Sequence, residues 1–332
     1  MKARWSLSVV AALVLLLGAA CGEFEPTSLR LVTHGEFLRD QTVQIEVIGI
    51  DDDGNEEVLK KGLTFRSSDE RIATVDPNGL VTVHAGGPVT ISVTAKLDSM
   101  EKPLEASIET RATCQYPEFD WKFGQGKVVP PLAWPAFLSN GDPIFFKLED
   151  VYCDADWEWV KTIHFVFSAG WCGPCSMYAM QLAQQAGSLR REGMLVVTVE
   201  IDTEYPGVAA DSNFAKKHLA KLAEMAGQKQ PAGIAAGDKD THIWDPEARS
   251  YVPAKNFIRR SDFIAFYPTK SIVRKRDMQM IVDGSGKGAW AGKVIPLLEI
   301  ARDPEADWSK PPSWVDDGEI EDRPEDGGTG GE

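Results

Sequence analysis

Several features of common functional classes are missing from this chain of 332 residues. Its formal net charge is −15, so it lacks the excess of basic residues with which proteins bind nucleic acid. Its longest apolar run, residues 7–20, is shorter than the roughly 20 residues that a transmembrane helix needs. The five histidines show no metal-ligand spacing, and Gly284–Gly288 lacks the following Ser or Thr of a phosphate loop. The sequence therefore predicts no nucleic-acid partner and no metal.

Two of the five cysteines stand close together, at Cys172 and Cys175. Residues 162–167 before them are apolar, β-branched or aromatic, as in a buried strand, and apolar residues after them recur with helical spacing. Cys172 is therefore expected at a helix N-terminus, where free N–H groups and the helix dipole stabilise a thiolate. Cys175, one turn further, would form and release a disulfide with it. Redox chemistry is the favoured interpretation; a zinc site, which needs about four ligands, and an inert disulfide are the alternatives.

The motif Trp171-Cys172-Gly173-Pro174-Cys175 resembles the active site of the thioredoxin superfamily. A second resemblance is Tyr267-Pro268, which stands just before a strand-like segment. The likeness covers about residues 115–301 and is closest to the envelope-anchored, TlpA-like thioredoxins. It implies an α/β fold, a redox-active disulfide with no dissociable cofactor, and a cis Pro268 that faces the cysteines. Without the resemblance a trans bond would be expected, because cis X-Pro bonds make up only about 5% in folded proteins.

One position departs from the family pattern. Thioredoxins keep a buried aspartate six residues before the first active cysteine, where this chain has Val166. The thiol of Cys175 must then lose its proton to another base, to water or to the substrate. Glu200, on the next predicted strand, is one candidate base. The favoured interpretation of Glu200 is nevertheless a surface acid at a strand end, because glutamate is rarely fully buried.

The remaining elements of this region follow from turn residues, caps and apolar periodicity. They are a hairpin at residues 128–150, a strand at Leu195–Ile201, a helix capped by Asp211 and stopped by Gly227, an irregular connection at residues 228–260, two strands within residues 271–282, and a closing helix at Ala289–Ala301.

The segment before the cysteines has a different pattern of apolar and polar residues. Val43–Ile50 and Val89–Ala95 alternate in the manner of half-buried strands. Residues 65–83 closely resemble the signature of bacterial group 2 immunoglobulin-like domains. The resemblance implies a β-sandwich over residues 22–113 that serves as a spacer, with partner binding as the alternative. The expected fold class is thus an all-β immunoglobulin-like sandwich followed by an α/β thioredoxin-like fold, over residues 114–301, each folding as a separate unit.

The N-terminus is interpreted as an export signal. Lys2 and Arg4 precede the apolar run, and Ala19-Ala20-Cys21 resembles a bacterial lipoprotein cleavage site. Residues 1–21 would be a lipoprotein-type signal peptide, with Cys21 as the lipid attachment site; ordinary cleavage after Ala20 is the alternative.

Cys114 and Cys153 are then expected to pair in an oxidising compartment. A structural disulfide is the favoured interpretation of this pair. The alternative is a second redox pair that passes electrons to the first.

Residues 302–332 are rich in acids, Pro and Gly and are predicted to form a disordered tail. Trp308 and Trp314 are expected to be loosely placed and exposed to solvent.

Together these features predict an envelope-anchored thiol–disulfide oxidoreductase that reduces protein disulfides and faces the periplasm or the cell surface. A membrane protein is expected as its electron donor. The alternative is a cell-surface binding or structural lipoprotein whose thioredoxin-like domain has little turnover.

Overall fold

The structure is a computed structural model that describes residues 24–98 and 100–315. The predicted signal peptide, Cys21 and the last part of the predicted tail, residues 316–332, lie outside the described residues. Within the described ranges, no helix combines the length and the apolar character needed to cross a membrane.

The first domain is a sandwich of two antiparallel sheets. Its strands are β1 (Ser28–His34), β2 (Thr42–Ile50), β3 (Glu56–Leu59), β4 (Leu63–Ser67), β5 (Ala73–Val75), β6 (Leu80–Val83), β7 (Gly87–Ala95) and β8 (Leu104–Ala112). One sheet has the order β1-β2-β6-β5 with β3 also on β2, and the other has the order β4-β7-β8. Alternate side chains of β2 and β7 are buried, and they form the core between the two sheets.

The second domain combines one large sheet with helices. Its strands are β9 (Leu132–Phe137), β10 (Pro143–Lys147), β11 (Thr162–Ala169), β12 (Met194–Asp202), β13 (Ile234–Gly237), β14 (His242–Asp245), β15 (Ser250–Pro253), β16 (Thr269–Arg274) and β17 (Gln279–Asp283). Its helices are α1 (Leu148–Cys153), α2 (Gly173–Arg191), α3 (Ser212–Met225), α4 (Phe257–Arg260) and α5 (Leu297–Arg302).

The strand order of this sheet is β15-β14-β9-β13-β12-β11-β16-β17, with β10 paired to β9. β13, β12 and β11 are parallel, β16 is antiparallel to β11, and β17 is antiparallel to β16. Every residue of β11 and β12 is buried, because the sheet is covered on both faces. A parallel β11–α2–β12 unit followed by an antiparallel β16–β17 pair and α5 is the thioredoxin-like arrangement. The expected fold class, an immunoglobulin-like sandwich followed by an α/β thioredoxin-like fold, is confirmed.

The connection at residues 228–260 is not irregular, contrary to the prediction. It contains β13, a hairpin of β14 and β15, and α4. β13 has the sequence Ile-Ala-Ala-Gly and lacks the β-branched run that marks a strand. Its small residues allow α3 to approach closely: a Cβ on Gly237 would lie 2.2 Å from the backbone of Asp211.

The predicted closing helix at Ala289–Ala301 is also shorter than expected. α5 begins only at Leu297. Gly292 adopts a left-handed conformation (φ +73°), and Pro296, which has no N–H, occupies the N-cap. These two residues end the helical pattern upstream of α5.

The prediction of a disordered tail from residue 302 places the boundary too early. Trp308 is only 7% exposed, and its backbone carbonyl accepts a hydrogen bond from Nε1 of Trp290 at 2.8 Å. Val315 is buried in the same apolar cluster, whereas Trp314 is exposed, as expected. An average composition conceals a single aromatic residue such as Trp308, which can bury a large apolar area.

The two domains meet at a packed junction. Cys114, two residues after β8, forms a disulfide with Cys153 at the end of α1. Gly86 of the first domain donates to the carbonyl of Cys153 and accepts from the N–H of Ala155, at 2.8 and 3.1 Å. The side chain of Ala155 lies in the core of the sandwich. The predicted boundary at residues 113/114 is therefore crossed by shared packing.

Candidate functional site

Cys172 and Cys175 lie at the N-terminus of α2 and are joined by a disulfide with a Cα–Cα distance of 5.2 Å. Cys172 is the N-cap, and its Sγ accepts a hydrogen bond from the N–H of Cys175 at 3.2 Å. Pro174 falls in the first turn, where a missing N–H leaves no helical hydrogen bond unmade. A Cβ on Gly173 would meet nothing within 4 Å, so the surface beside the disulfide at Gly173 is open. The residues are 4% and 1% exposed, which makes Cys172 the more accessible of the two.

Trp171 is 44% exposed and is held in place by the carboxylate of Asp202. Its Nε1 donates to Oδ2 of Asp202 at 3.2 Å, and Asp202 is buried at the end of β12. Asp202 also accepts from the N–H of Gly207 and forms an ion pair with Arg259 of α4. One buried carboxylate thus connects Trp171, the loop after β12 and the short helix α4.

The peptide bond between Tyr267 and Pro268 is cis. Thr269 of β16 pairs with Phe167 of β11. Tyr267 and Pro268, which directly precede Thr269, therefore lie beside the end of β11 that leads to Cys172. Tyr267 packs on the two cysteines and contacts Trp171 edge to face at 5.6 Å. Burial, followed by the negative charge of Asp202, raises the pKa of Tyr267 to about 12, so its hydroxyl stays protonated at neutral pH.

Glu200 is not a surface acid, contrary to the favoured interpretation, since it is 0% exposed. β12 is a central strand, and α3 covers its end. Oε1 of Glu200 accepts from Oγ of Ser168 at 3.3 Å and lies 2.9 Å from Nδ1 of His218. Oε2 has no partner among the described residues. The negative charge of Glu200 is the smallest of the named causes that raise the pKa of Tyr267.

Val166 is buried under α2, in the cluster that this helix forms with α5. On the same strand His164 lies between the carbonyl of Ser271, 3.1 Å from Nδ1, and the hydroxyl of Tyr178, 2.8 Å from Nε2. Burial lowers the pKa of His164 to about 3, so the ring is neutral. His164 is thus a buried, hydrogen-bonded residue, and its ring offers the site no positive charge.

Seven predicted site residues lie together in the structure, and the other cysteine pair lies elsewhere. The seven are Trp171, Cys172, Gly173, Pro174, Cys175, Tyr267 and Pro268. Cys114 and Cys153 lie beside the start of β11, whereas the dithiol follows its end. In the part of the chain that the structure describes, no three His, Cys, Asp or Glu side chains are grouped to hold a metal ion.

Sequence reasoning missed Asp202, Arg259 and His218. A usable signal existed for Asp202, because it ends a buried parallel strand, and polar groups at the carboxyl ends of such strands meet at one edge of the sheet. No sequence signal pointed to Arg259 or His218, because their positions depend on how α4 and α3 pack.

The fold and the site define a two-domain protein whose thioredoxin-like domain carries a disulfide at a helix N-terminus. Residues 32–105 match the family model described as bacterial Ig-like domain (group 2), within the predicted range 22–113. No curated protein matches the sequence.

Solved structures similar to the second domain include three bacterial proteins. A thiol:disulfide interchange protein from Bacteroides sp. is 14% identical, with a TM-score of 0.29, over 49% of this chain and 84% of that one. The thioredoxin domain of a thiol-disulfide oxidoreductase from Bacteroides vulgatus is 13% identical, with a TM-score of 0.29, over 49% and 91%. An uncharacterized conserved protein from Geobacillus kaustophilus is 20% identical, with a TM-score of 0.30, over 58% and 91%. At these values the likenesses carry no argument about activity.

Proposed function

We propose that this protein is a thiol–disulfide oxidoreductase that reduces protein disulfides through Cys172 and Cys175. The observation that carries the proposal is the disulfide at the N-terminus of α2, with the N–H of Cys175 directed at Sγ of Cys172. The exposed face of Trp171 and the open surface above Gly173 leave room for a substrate chain.

The reaction starts from the reduced dithiol. The thiolate of Cys172 attacks one sulfur of the substrate disulfide, whose S–S bond breaks, and the departing thiolate takes up a proton. The mixed disulfide is resolved when Cys175, after losing its proton, attacks Sγ of Cys172. The second substrate thiol is released, and the pair is left oxidised. Two electrons have then moved to the substrate, and an external reductant must return them.

The setting in the cell belongs to the same proposal. The signal-like residues 1–21 favour export and lipid attachment at Cys21 in the bacterial envelope. The second domain would then face the periplasm or the cell surface, with a membrane protein as electron donor. No dissociable cofactor is required, because the disulfide itself carries the electrons.

The second candidate function is a surface protein with little turnover. Val166 favours it, because a buried acid is missing from that position under the active site. The immunoglobulin-like domain also favours it, as a module for display or binding.

A disulfide-reduction assay with insulin separates the two functions. The reduced protein should reduce insulin catalytically when dithiothreitol is supplied, and Cys172→Ser should abolish turnover. Turnover no faster than that of Cys172→Ser would favour the second candidate. The reduction potential of the pair then gives the direction, since about −270 mV marks a reductant and about −120 mV an oxidant.

A further inference from the structure

The junction of the two domains contains a cleft of about 590 Å³. The volume lies in the usual range of ligand sites, which often occur at domain interfaces. Its walls come from both domains, and its cationic side chains are Arg39, Arg71, Lys161, Arg274, Lys275 and Arg276.

This concentration of positive charge contrasts with the net charge of −15 of the whole chain. Only three carboxylates, those of Asp154, Glu158 and Glu305, line the same cleft. Glu305 accepts from the guanidinium groups of both Arg274 and Arg276, at 3.3 and 2.8 Å. Arg71 is paired with Asp69, and Arg274 and Arg276 are also paired with Asp277, so these three arginines already have carboxylate partners.

Two lysines of the cleft are left without a carboxylate partner. Nζ of Lys275 donates to the carbonyl of Trp157 at 2.7 Å and forms no ion pair with any described residue. Burial and the nearby charge of Arg39, only partly opposed by Glu158, lower the pKa of Lys275 to about 8. Lys161 lines the same wall, and within residues 24–98 and 100–315 its ammonium group makes neither a hydrogen bond nor an ion pair.

The first domain contributes a fixed cation, Arg39, which forms a long ion pair with Asp40 at 3.6 Å. The guanidinium group of Arg39 stacks 4.4 Å above the ring of Tyr152 and donates to the carbonyl of the same residue at 3.1 Å. The disulfide between Cys114 and Cys153 ties the two walls together. Arg39, Lys161 and Lys275 therefore line one preformed cleft, in which the charge of Arg39 already acts on Lys275, and a preformed site reduces the entropy lost on binding.

We propose that this cleft is an anion-binding site for a compact ligand with two or more negative charges, held between Arg39 of the first domain and Lys161 and Lys275 of the second. Phosphate monoesters and small polycarboxylates share this chemistry. The site lies at the start of β11 and does not depend on the redox function proposed for the dithiol beyond its other end.

Binding is measured by calorimetry on the whole protein at constant ionic strength, with inorganic phosphate, citrate and acetate as probes. Phosphate or citrate should bind at least tenfold more tightly than acetate. The double variant Lys161→Gln/Lys275→Gln should weaken this binding at least tenfold, and Arg39→Gln should also weaken it, because both walls contribute. Lys60→Gln, which removes an exposed lysine outside the cleft, is the matched control and should bind like the parent.

Three outcomes would overturn the proposal. One is equal affinity for acetate and citrate, and another is an equal loss in Lys60→Gln, since both would indicate general charge attraction. The third is carbodiimide coupling of Lys161 or Lys275 to acids of residues 316–332, because the chain would then fill its own cleft. Circular dichroism verifies that each variant is folded, and Lys275→Arg, which keeps the charge, should restore binding if charge is what the ligand requires.

Discussion

At the scale of single residues, the two active cysteines differ in their surroundings. Cys172 is the N-cap, and its sulfur receives the N–H of Cys175, whereas Cys175 is inside the first turn and almost fully buried. In the reduced protein, iodoacetamide near neutral pH should therefore alkylate Cys172 much faster than Cys175. Peptide mapping after brief labelling measures the two rates.

The same difference predicts distinct variants. Cys175→Ser should accumulate mixed disulfides with substrate proteins, because the resolving thiol is absent, whereas Cys172→Ser should accumulate none. Non-reducing gels distinguish the two. Equal rates of alkylation of the two thiols would contradict the assigned roles. Equal amounts of mixed disulfide in the two variants would also contradict them.

A second prediction concerns Glu200, the buried carboxyl group beside a site in which Val166 offers none. Oε2 of Glu200 has no hydrogen-bond partner among the described residues, and we predict that this carboxylate takes the proton of Cys175. Glu200→Gln keeps the shape but removes this capacity, and should slow resolution of the mixed disulfide roughly 10²-fold. Glu204→Gln, in the exposed loop after β12, is the control. Stopped-flow measurement of resolution tests the prediction, and equal rates in both variants would exclude Glu200 as the base.

The burial of Glu200 was hard to foresee for a physical reason. The residues before it alternate between two covered faces of a central strand, so hydropathy could not distinguish a buried end from an exposed one. By contrast, the positions of Cys172 and Asp211 at helix N-caps could be predicted, because capping depends on local chemistry.

At the scale of elements, α4 supports the site through one ion pair. Arg259 pairs with Asp202, whose side chain is only 4% exposed and which also holds Trp171. Arg259→Met leaves this buried carboxylate without its cation, and should lower the free energy of unfolding by about 3 kcal/mol. Arg260→Met is the matched control, because Arg260 is exposed and its side chain bonds, among the described residues, only the carbonyl of Asn256 at the N-cap of α4.

Urea unfolding of both variants measures the difference. Without urea, and at a temperature where Arg259→Met remains folded, its disulfide exchange with insulin should also be slower. The reason is that Asp202, the hydrogen-bond acceptor of the Trp171 indole, is no longer held in place by Arg259. A loss of stability no greater than in Arg260→Met would show that Asp202 does not depend on α4.

The elements themselves were predictable to different degrees. β11, α2, β12 and α3 follow from long apolar periodicities and caps, and the structure contains all four. β13, β14 and β15 escaped prediction because each is only four residues long and is defined by its neighbours in the sheet. α5 was overestimated because the periodicity of its apolar residues continued through Gly292 and Pro296.

At the scale of the whole molecule, the first domain packs beside the start of β11, and the dithiol follows the end of this strand. Gly86 is tightly packed at the junction: a Cβ there would lie 2.6 Å from Sγ of Cys153 and 2.6 Å from Oδ1 of Asp154. Gly86→Ala should therefore destabilise the protein by about 1–3 kcal/mol. Disulfide exchange by the folded variant should be unchanged.

Gly187→Ala is the control for Gly86→Ala. Gly187 lies within α2, and its added Cβ would meet only the flexible end of Arg191, at 3.6 Å. Because alanine favours a helix, this variant should be more stable by about 1 kcal/mol. Thermal unfolding of both variants tests the contrast, and a stable Gly86→Ala would show that the junction is loosely packed.

The disulfide between Cys114 and Cys153 has the same location and allows the two interpretations of this pair to be separated. It closes a loop with a sequence separation of 39 residues, which is worth about 3–4 kcal/mol in the chain-entropy model. The free energy of unfolding of Cys114→Ser/Cys153→Ser, measured by urea unfolding, should therefore be lower by about that amount. Its catalytic rate with insulin should match the parent, because the pair lies at the far end of β11 from Cys172. If the variant kept its stability but lost turnover with a physiological electron donor, the pair would be a redox relay and not a structural link between the domains.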